Sequence, residues 1–323
     1  MSHELLLMRH GKADPEFDGE DFRRPLTDRG KRAAQRIGAW LARERLVPDY
    51  IIASPASRAR VTAENACKVM GIGAQQVHTD ERLYLADEIT LKAVLAEVPS
   101  NARRVMLVGH NLGLERLLVD LSATRLQRNR KGRLLPTATL ARLRLADGWR
   151  DLAAGSASVL NLQYPADLPE KFPFPGPDGE PTRDRPAYYY TQSAVIPYRV
   201  TAGQVEILII RSSRNKHWVV PKGIADVGLS MRESAAKEAW EEAGVEGVVG
   251  DESLGSYQCT KWGASCTVTV YPMAVSREIG DDEWQERHRG RRWVPPDLAA
   301  GLLRQPELRP MVERLARRLA VTD

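Results

Sequence analysis

The sequence predicts two domains, an α/β domain with a mostly parallel sheet followed by an α+β sandwich. The chain has 323 residues, more than the roughly 150 of a typical domain. Short apolar runs alternate with amphipathic stretches up to about residue 165, whereas strand-like runs dominate after residue 188. Between them, residues 169–186 are dense in Pro, Gly and charge, which is typical of a linker or an extended strap. We therefore expect domains over residues 1–167 and 188–323, joined by a linker over 168–187.

The first domain alternates strands with helices, the order that produces a parallel sheet. Its buried apolar runs are short and are predicted strands, while the longer amphipathic stretches are predicted helices. The predicted strands are Leu5–Met8, Tyr50–Ala53, Val105–Val108, Thr139–Leu145 and Ser158–Gln163. The predicted helices are Gly30–Arg45, Ser57–Met70, Thr90–Val98 and Leu112–Ser122.

The second domain is richer in strands and has one strong central helix, Met231–Ala243. Ser230-x-x-Glu233 is a capping box at the start of that helix, and Gly244 suits the position just after its end. The predicted strands are Ser193–Val200, Val205–Arg211, Trp218–Val220, Tyr257–Trp262, Ser265–Ala274 and Arg292–Val294, and a last helix covers Pro310–Leu319. Strands arranged around one central helix indicate an α+β sandwich.

The composition is that of a globular protein, with 43% hydrophobic and 28% charged residues. Three cysteines cannot form a disulfide framework and are expected to be buried or semi-buried thiols, although Cys259 and Cys266 could bridge neighbouring strands. No apolar run approaches the roughly 18 residues that span a bilayer, and the first residues lack the basic segment of a signal peptide. We expect a cytoplasmic protein without a membrane partner.

The net charge of +5 includes a local basic run, Arg125, Arg128, Arg130, Lys131 and Arg133. This run could face nucleic acid, but a solvated loop beside a site that handles anions explains it as well. Neither a zinc-finger spacing, an RNA-binding aromatic signature nor a repeat accompanies it. Nucleic acid is therefore not the partner we expect.

A histidine follows the first predicted strand, since Leu5–Met8 leads directly into Arg9-His10-Gly11. Open α/β folds bind ligands at the carboxyl ends of their strands. A histidine there can act as a nucleophile if neighbouring cations hold a phosphoryl group in line with a ring nitrogen. Arg9 is a bidentate donor for phosphate oxygens, and Gly11 allows the backbone to approach a substrate closely. An isolated Arg-His pair, however, is usually incidental.

Three further segments complete a pattern that begins with Arg-His-Gly. They are Pro25-Leu26-Thr27 with Gly30, Ser54-Pro55-x-x-Arg58-Ala59-x-x-Thr62-Ala63-Glu64, and Val108-Gly109-His110-Asn111. With them, roughly the first 165 residues resemble the histidine phosphatase superfamily in its small SixA-type branch, which implies a phosphoglycerate mutase-like fold. The resemblance implies that His10 is the nucleophile and forms a phosphohistidine intermediate, and that no metal or other cofactor is needed. It also implies that Arg9, Arg58 and His110 clamp the equatorial oxygens of the phosphoryl group.

To attack phosphorus, His10 must present a neutral ring nitrogen. The pocket cations should lower its affinity for a proton, and a backbone carbonyl could fix its tautomer. The acid that protonates the leaving group is less defined. Larger superfamily members use a Glu on an inserted segment, and the compact stretch here offers Asp87 and Glu88, of which Glu88 is the predicted catalytic residue. A surface carboxylate pair at a helix start is the alternative. A phosphohistidine or anhydride substrate hardly needs an acid, because its leaving group is already good.

The central helix of the second domain carries three carboxylates on one face. Glu238, Glu241 and Glu242 stand at i, i+3 and i+4, so they project from neighbouring positions. Like charges this close repel one another unless a cation lies among them, and hard divalent cations bind oxygen ligands of this kind. A solvated acidic helix face is the alternative, and the flanking sequence distinguishes the two.

That flanking sequence resembles the Nudix box, G-x5-E-x7-R-E-U-x-E-E-x-G-U, where U is aliphatic. The positions in register are Gly223, Glu238, Ala239, Glu241, Glu242, Gly244 and Val245. The preceding Trp-Val-Val-Pro-Lys-Gly resembles the branch that acts on diphosphoinositol polyphosphates and dinucleoside polyphosphates. The resemblance covers about Tyr188 to Leu319 and implies a Nudix sandwich in which Glu238, Glu241, Glu242 and the Gly223 carbonyl hold Mg²⁺ or Mn²⁺. The metal would activate water and neutralise the diphosphate, and Glu238 would also be catalytic.

Two positions depart from the box, since Leu229 replaces its first Glu and Lys237 replaces its Arg. In the family these two residues usually pair with each other. Losing both indicates a replaced structural brace rather than a lost active site. Glu233 and Lys237, four residues apart, could form a substitute pair worth about 0.3–0.5 kcal/mol.

Several cations surround the box and could contact substrate phosphates. The predicted substrate-binding residues are Gly11 in the first domain and Arg211, Arg214, Lys216, Lys222 and Lys261 in the second. Trp262 could stack on a base, although an aromatic residue at a strand end often only packs. Glu283 and Glu286, on a later loop, are candidates for a further base or ligand.

Together these patterns predict a bifunctional phosphohydrolase. The first domain would be a metal-independent phosphatase and the second an Mg-dependent pyrophosphohydrolase acting on nucleoside-polyphosphate or diphosphoinositol-type compounds. The partners would be small phosphorylated or diphosphate substrates, or a phosphohistidine protein. The alternative is a histidine phosphatase with a non-catalytic, nucleotide-sensing Nudix domain. The oligomeric state is not predicted.

Overall fold

The computed structural model describes residues 3–129, 132–174 and 181–320. Arg130 and Lys131 of the basic run and residues 175–180 of the predicted linker lie outside these ranges. The chain forms two compact units, Met1–Thr182 and Arg183–Asp323. The finer division at residues 167 and 188 remains a prediction.

The first unit contains one six-stranded sheet in the order β3-β2-β4-β1-β5-β6. Its strands are β1 (His3–Arg9), β2 (Tyr50–Ala53), β3 (Val77–Thr79), β4 (Arg104–Gly109), β5 (Leu140–Leu145) and β6 (Ala157–Gln163). The first four strands in this order pair in parallel, and β5 and β6 add antiparallel pairs. The predicted α/β fold with a mostly parallel sheet is therefore confirmed.

Helices cover both faces of this sheet because its buried strands are apolar on both sides. The helices are α1 (Asp28–Arg43), α2 (Ser57–Val69), α3 (Glu88–Ala96) and α4 (Gly113–Leu121). In β1, Leu5 and Leu7 pack in the cluster that contains α3 and α4. Leu6 and Met8 face the opposite cluster, which contains α1 and α2. Both sheet faces are thus filled, and ligand sites are left to the strand ends.

Two short strands follow, β7 (Phe172–Pro173) and β8 (Thr182–Arg183), before the second unit's own mixed sheet. The strands of that sheet are β9 (Thr191–Thr201), β10 (Gln204–Arg211), β11 (Trp218–Val219), β12 (Lys222–Ile224), β13 (Val245–Val249), β14 (Gly255–Lys261), β15 (Ala264–Glu278) and β16 (Arg291–Val294). Strands β9 and β15 pair in parallel, and the other pairs are antiparallel.

The second unit's helices are α5 (Met231–Glu238), α6 (Pro296–Leu302) and α7 (Leu308–Ala320). The predicted central helix exists, but its last part, Ala239–Ala243, is a π turn that ends at Gly244 with φ of 61°. Helix α5 packs on one face of the sheet and helices α6 and α7 pack on the other. None of the helices described is both long and apolar enough to cross a membrane.

Candidate active sites in the two units

Three neighbouring parallel strands of the first unit end at the same edge of the sheet, and a polar side chain follows each of them. Ser54 follows β2, His110 follows β4 and His10 follows β1. The backbone bonds of the sheet continue into these residues: the His10 N–H donates to Gly109 O at 3.0 Å, and the Ser54 N–H donates to Val108 O at 3.0 Å. The two histidine rings therefore lie close together, with centroids 5.2 Å apart.

His10 is held in one tautomer. Its Nδ1–H donates to the Gly11 carbonyl at 2.7 Å, which leaves Nε2 with a free lone pair. Burial lowers the pKa of His10 to about 4, with the Arg58 and Arg9 charges acting in the same direction against the Gly11 hydrogen bond. The imidazole is therefore neutral at neutral pH, as nucleophilic attack requires.

Arg58 and Arg9 converge on the same pocket. Arg58 is only 2% exposed and donates to the Asp21 carbonyl at 2.6 Å and to Asp21 Oδ2 at 2.8 Å. Arg9 donates from Nη1 to Leu135 O at 2.9 Å. The Nε atoms of both arginines and Nδ1 of His110 are buried without a hydrogen-bond partner in the described part of the chain. These orphaned atoms suit a ligand with several oxygens.

His110 is 3% exposed, and its Nε2 is hydrogen-bonded to Ser54 Oγ at 2.8 Å. Burial, followed by the neighbouring His10 and Arg58, lowers the pKa of His110 to about 3. The ring is therefore neutral in the ligand-free pocket, and the hydrogen bond to Ser54 fixes its orientation.

Sequence reasoning missed three residues of this pocket, Asp21, Arg24 and Tyr84. Asp21 accepts a hydrogen bond from the Tyr84 hydroxyl at 2.9 Å and forms a salt bridge with Arg24 at 2.7 Å. Although partial burial acts the other way, the Tyr84 and Arg58 hydrogen bonds lower the pKa of Asp21. Asp21 and Tyr84 lie on or beside short 3₁₀ turns, which leave no periodic signal in sequence.

The predicted acid, Glu88, forms a salt bridge with Arg116 at 3.9 Å. Among the described residues, no hydrogen bond or ion pair joins Glu88 to His10 or to the pocket cations. Asp87 caps helix α3 by accepting the Thr90 N–H at 2.8 Å, as the alternative of a helix-start carboxylate expects. The role of Glu88 as an acid remains a prediction.

Gly11 has a packing role in the structure. A Cβ on Gly11 would lie 2.7 Å from the Gly30 carbonyl oxygen, and one on Gly30 would lie 2.3 Å from the Lys12 oxygen. The Gly11 N–H donates to Thr62 Oγ1 at 2.9 Å and is therefore already engaged. The two glycines of the motif thus allow two backbone segments to meet, while substrate binding by Gly11 remains a prediction.

In the second unit, Glu238 lies directly against Gly223. A Cβ on Gly223 would be 1.9 Å from Glu238 Oε1, so any other residue here would have to displace the Glu238 carboxylate. Burial, reinforced by the Glu242 and Glu241 charges, raises the pKa of Glu238 to about 7. The repulsion among these carboxylates is what a bound divalent cation would relieve, and their oxygens are the ligand type that such a cation prefers.

Two of the three helix carboxylates are engaged by cations of the chain. Glu242 pairs with the Arg289 guanidinium at 2.6 Å through Oε1. Its other oxygen, Oε2, accepts a hydrogen bond from the backbone N–H of Lys222 at 3.0 Å. Glu241 lies 3.6 Å from the Lys237 ammonium. Among the residues that the structure describes, no group of three or more His, Cys, Asp or Glu side chains is arranged to hold a metal ion. The oxygen donors of the three glutamates nevertheless fit a divalent cation in their chemistry.

The prediction that Glu233 pairs with Lys237 was wrong, because Lys237 has a different partner. Lys237 pairs with Asp226 at 2.6 Å, whereas Glu233 accepts the Ser230 N–H at 2.7 Å in the capping box. The capping box already engages Glu233, so its carboxylate is not available to Lys237. Asp226 lies in the loop before α5, where Lys237 can tie the loop to the helix.

A polar cavity of about 680 Å³ opens beside Glu242. Two predicted substrate-binding residues, Lys222 and Lys261, line it, together with two cations that sequence reasoning missed, Arg289 and Arg304. The four cations make this cavity suited to a polyanion.

The other predicted substrate-binding cations lie outside this cavity. Arg211 stacks on Trp218, with its guanidinium carbon 4.1 Å from the ring centroid. Arg214 and Lys216 lie on the exposed loop after β10. None of the three lines the cavity, and their contacts with substrate remain predictions.

The structure distinguishes the two loop glutamates. Glu286 bonds Arg289 and so lies next to Glu242, whereas Glu283 is exposed and pairs with Arg277 at 3.6 Å. Trp262, the candidate base platform, has the Lys261 ammonium 4.2 Å from its ring centroid and meets the edge of Tyr189 at 5.1 Å.

Comparison with known proteins assigns a family to each unit. Residues 5–85 match the histidine phosphatase superfamily (branch 1), and residues 189–315 match the NUDIX domain. An uncharacterized protein of Mycobacterium tuberculosis is 32% identical over 162 residues, which are 49% of this chain and 99% of that protein. Nudix hydrolase 18, mitochondrial, of Arabidopsis thaliana is 30% identical over 136 residues, 39% of this chain and 76% of that protein.

A solved structure from Nakamurella multipartitia, provisionally assigned as the phosphohistidine phosphatase SixA, is 30% identical. The match covers 51% of this chain and 97% of that one, with a TM-score of 0.44.

Proposed function

Because the chain belongs to the histidine phosphatase superfamily through its first unit and to the Nudix family through its second, it is a hydrolase with two hydrolase modules, and we propose that both are active. The first would remove phosphoryl groups through a phosphohistidine intermediate without metal. The second would cleave diphosphate bonds of nucleoside-polyphosphate or diphosphoinositol-type compounds with Mg²⁺ or Mn²⁺.

The state of His10 supports the phosphatase most strongly. Its Nδ1–H is bonded to the Gly11 carbonyl, so Nε2 can attack phosphorus while the bond to the leaving group breaks. Arg9 and Arg58 would neutralise the charge of the phosphoryl oxygens, and the neutral His110 would donate to them through Nδ1. In the described part of the chain, the buried Nε atoms of both arginines and Nδ1 of His110 have no hydrogen-bond partner. Water would then attack the phosphohistidine and regenerate His10.

The Nudix proposal depends on Glu238, Glu241 and Glu242. Together with the Gly223 carbonyl they would hold the divalent cation, which supplies an activated water and neutralises the diphosphate. In the metal-free chain burial and the neighbouring carboxylates raise the pKa of Glu238 to about 7, and a bound divalent cation would lower it by stabilising the carboxylate. Lys222 and Lys261 would bind substrate phosphates in the cavity beside Glu242.

The second candidate function keeps the phosphatase and makes the Nudix domain a non-catalytic nucleotide sensor. Leu229 and Lys237 depart from the box, and Glu242 is already neutralised by Arg289, which favours this alternative. A requirement for the metal and for Glu242 in turnover would count against it.

The two modules could act on one metabolite in sequence. Cleavage of a diphosphate leaves a phosphomonoester, which is the substrate class of the phosphatase. A His10→Ala variant should then accumulate the phosphomonoester, and unchanged end products would disprove the coupling. A protein phosphohistidine is the alternative substrate of the first module.

The test is a panel of phosphomonoesters, nucleoside triphosphates, dinucleoside polyphosphates, a diphosphoinositol compound and phosphohistidine. Wild type, His10→Ala and Glu242→Gln would be compared, each with Mg²⁺ and with a chelator. Loss of a metal-independent activity in His10→Ala and of a separate metal-dependent one in Glu242→Gln is the expected result. Turnover that survives both Glu242→Gln and chelation would assign the Nudix domain to sensing.

A further inference from the structure

Arg289 is a buried cation on an otherwise exposed turn. It ends the 3₁₀ turn Arg287–Arg289 and is 9% exposed, whereas Arg287 and His288 on the same turn are exposed. Two carboxylates hold its guanidinium, Glu242 at 2.6 Å and Glu286. A buried arginine with two such partners is fixed in place by charge rather than by apolar packing.

The pair with Arg289 restricts what Glu242 can bind. One carboxylate oxygen of Glu242 accepts a hydrogen bond from the backbone N–H of Lys222, and the other contacts the Arg289 guanidinium. A divalent cation on this carboxylate would lie within a few ångströms of the guanidinium, where two positive charges repel strongly in a partly buried site. Glu242 can therefore contribute fully to a metal site only if the pair with Arg289 opens.

A second anionic position is available to Arg289 without a large movement. The residue already lines the 680 Å³ cavity together with Lys222, Lys261 and Arg304. A polyphosphate in this cavity would offer oxygens that a guanidinium binds in bidentate fashion. Glu286 is 37% exposed and would keep Arg289 at the edge of the cavity.

We propose that Arg289 is an exchangeable counter-ion, which pairs with Glu242 in the ligand-free chain and binds a substrate phosphate when Glu242 joins the metal site. The inference rests on the proposed Nudix function. It predicts that metal and polyphosphate strengthen each other's binding, because each removes a partner from the pair between Arg289 and Glu242.

The test measures metal binding rather than turnover. Mn²⁺ would be titrated calorimetrically into the full chain, alone and with methylenebisphosphonate, a diphosphate that the enzyme cannot hydrolyse. Arg289→Ala should bind Mn²⁺ alone about tenfold more tightly than wild type, within the usual range of coupling between sites. It should also lose most of the enhancement that the bisphosphonate gives the wild type.

Arg287→Ala is the matched control, since it removes the same charge from the same turn but has no contact with Glu242. It should behave as wild type, while Glu242→Gln should lose the site. If Arg289→Ala does not fold, Arg289→Gln removes the charge but keeps a long polar side chain, and it should likewise bind Mn²⁺ more tightly than wild type.

Two results would overturn the exchange. Unchanged or weaker Mn²⁺ binding in the Arg289 variants would show that Arg289 only braces the loop, even with an intact Nudix function. Absence of Mn²⁺ binding in wild type and in every variant, with and without bisphosphonate, would overturn the metal-dependent function as well.

Discussion

The two candidate sites balance opposite charges in the same manner. The phosphatase pocket gathers cations and holds Arg58 with the carboxylate of Asp21, while the Nudix helix gathers carboxylates and holds Glu242 with Arg289. Both counter-ions come from short 3₁₀ turns. In each site the chain itself supplies a counter-charge for a residue of the predicted motif.

The counter-ions differ in their access to water. The Asp21 side chain is 47% exposed, whereas that of Arg289 is 9% exposed. Water could solvate Asp21 if it left Arg58, whereas Arg289 would keep only Glu286 if it left Glu242, and a new anion would have to replace the lost partner. On the proposed function, both sites would open one ion pair, and the pair at Arg289 is the one more shielded from water.

The strongest test of a preformed cation pocket is Arg58→Ala. Loss of a buried donor aimed at the phosphoryl oxygens should lower phosphatase kcat/KM by about 10²–10³-fold, as for other preorganised donors. Arg60→Ala is the control, because Arg60 lies on the same helix, is 45% exposed and pairs with Glu64. A loss no larger than that of the control would remove Arg58 from the clamp.

For the Nudix site the next largest effect is expected from Gly223→Ala. The new Cβ would lie 1.9 Å from Glu238 Oε1 and must displace this carboxylate. A displacement of about 1 Å costs roughly 10²-fold in rate, so the metal-dependent kcat should fall by this order. Gly301→Ala in the same domain meets no atom within 4 Å and should leave kcat unchanged. An equal metal-dependent kcat in Gly223→Ala and Gly301→Ala would disprove that Glu238 must keep its position against Gly223.

The pH profile tests whether His10 is ready for attack. With a pKa of about 4, His10 stays neutral as the pH falls from 8 to about 5, so phosphatase kcat/KM should remain constant after correction for substrate ionisation. Below pH 4 the rate should fall about tenfold per unit, because the neutral fraction does so. A midpoint near 6.5 would indicate an ordinary, solvated histidine.

The same shift affects stability in a defined direction. The unfolded chain binds a proton on His10 more readily than the folded one, so the folded state loses stability as the pH falls from about 6.5 toward 4. His110, with a pKa of about 3, acts in the same direction. Hydrogen exchange in the first domain at pH 7 and pH 5 would measure this loss, and an opposite trend would contradict the burial of both rings.

The smallest effect is expected at the brace of the altered Nudix box. Lys237 and Asp226 are 44% and 19% exposed, so a double-mutant cycle should give a coupling of only about 0.5–1 kcal/mol. Native-state hydrogen exchange in helix α5 would report this energy for Asp226→Asn and Lys237→Met. A parallel cycle with Glu233→Gln should give no coupling, since the capping box engages Glu233.

The sequence predicted the long elements because their apolar residues repeat with a clear period. Short strands were missed: β3 and β12 have three residues each, and β13 contains Gly247 where its register shifts. These strands depend on pairing with distant segments rather than on their own pattern.

The residues of the candidate sites also divide into those that the sequence predicted and those that it did not. His10, Arg58, His110 and the three glutamates belong to recognisable motifs and could be named from sequence. Asp21 and Arg289 could not, because they lie on aperiodic turns and meet partners 37 and 47 residues away. Counter-ions of this kind are defined by the tertiary fold alone.

Each unit surrounds its own sheet with two hydrophobic clusters, so neither lacks a core of its own. Heating should therefore not melt the chain as one cooperative body, and a calorimetric scan should be broader than a single two-state transition. A single melting temperature would then be a poor description of this protein. Unfolding of one unit would remove no residue from the core clusters of the other.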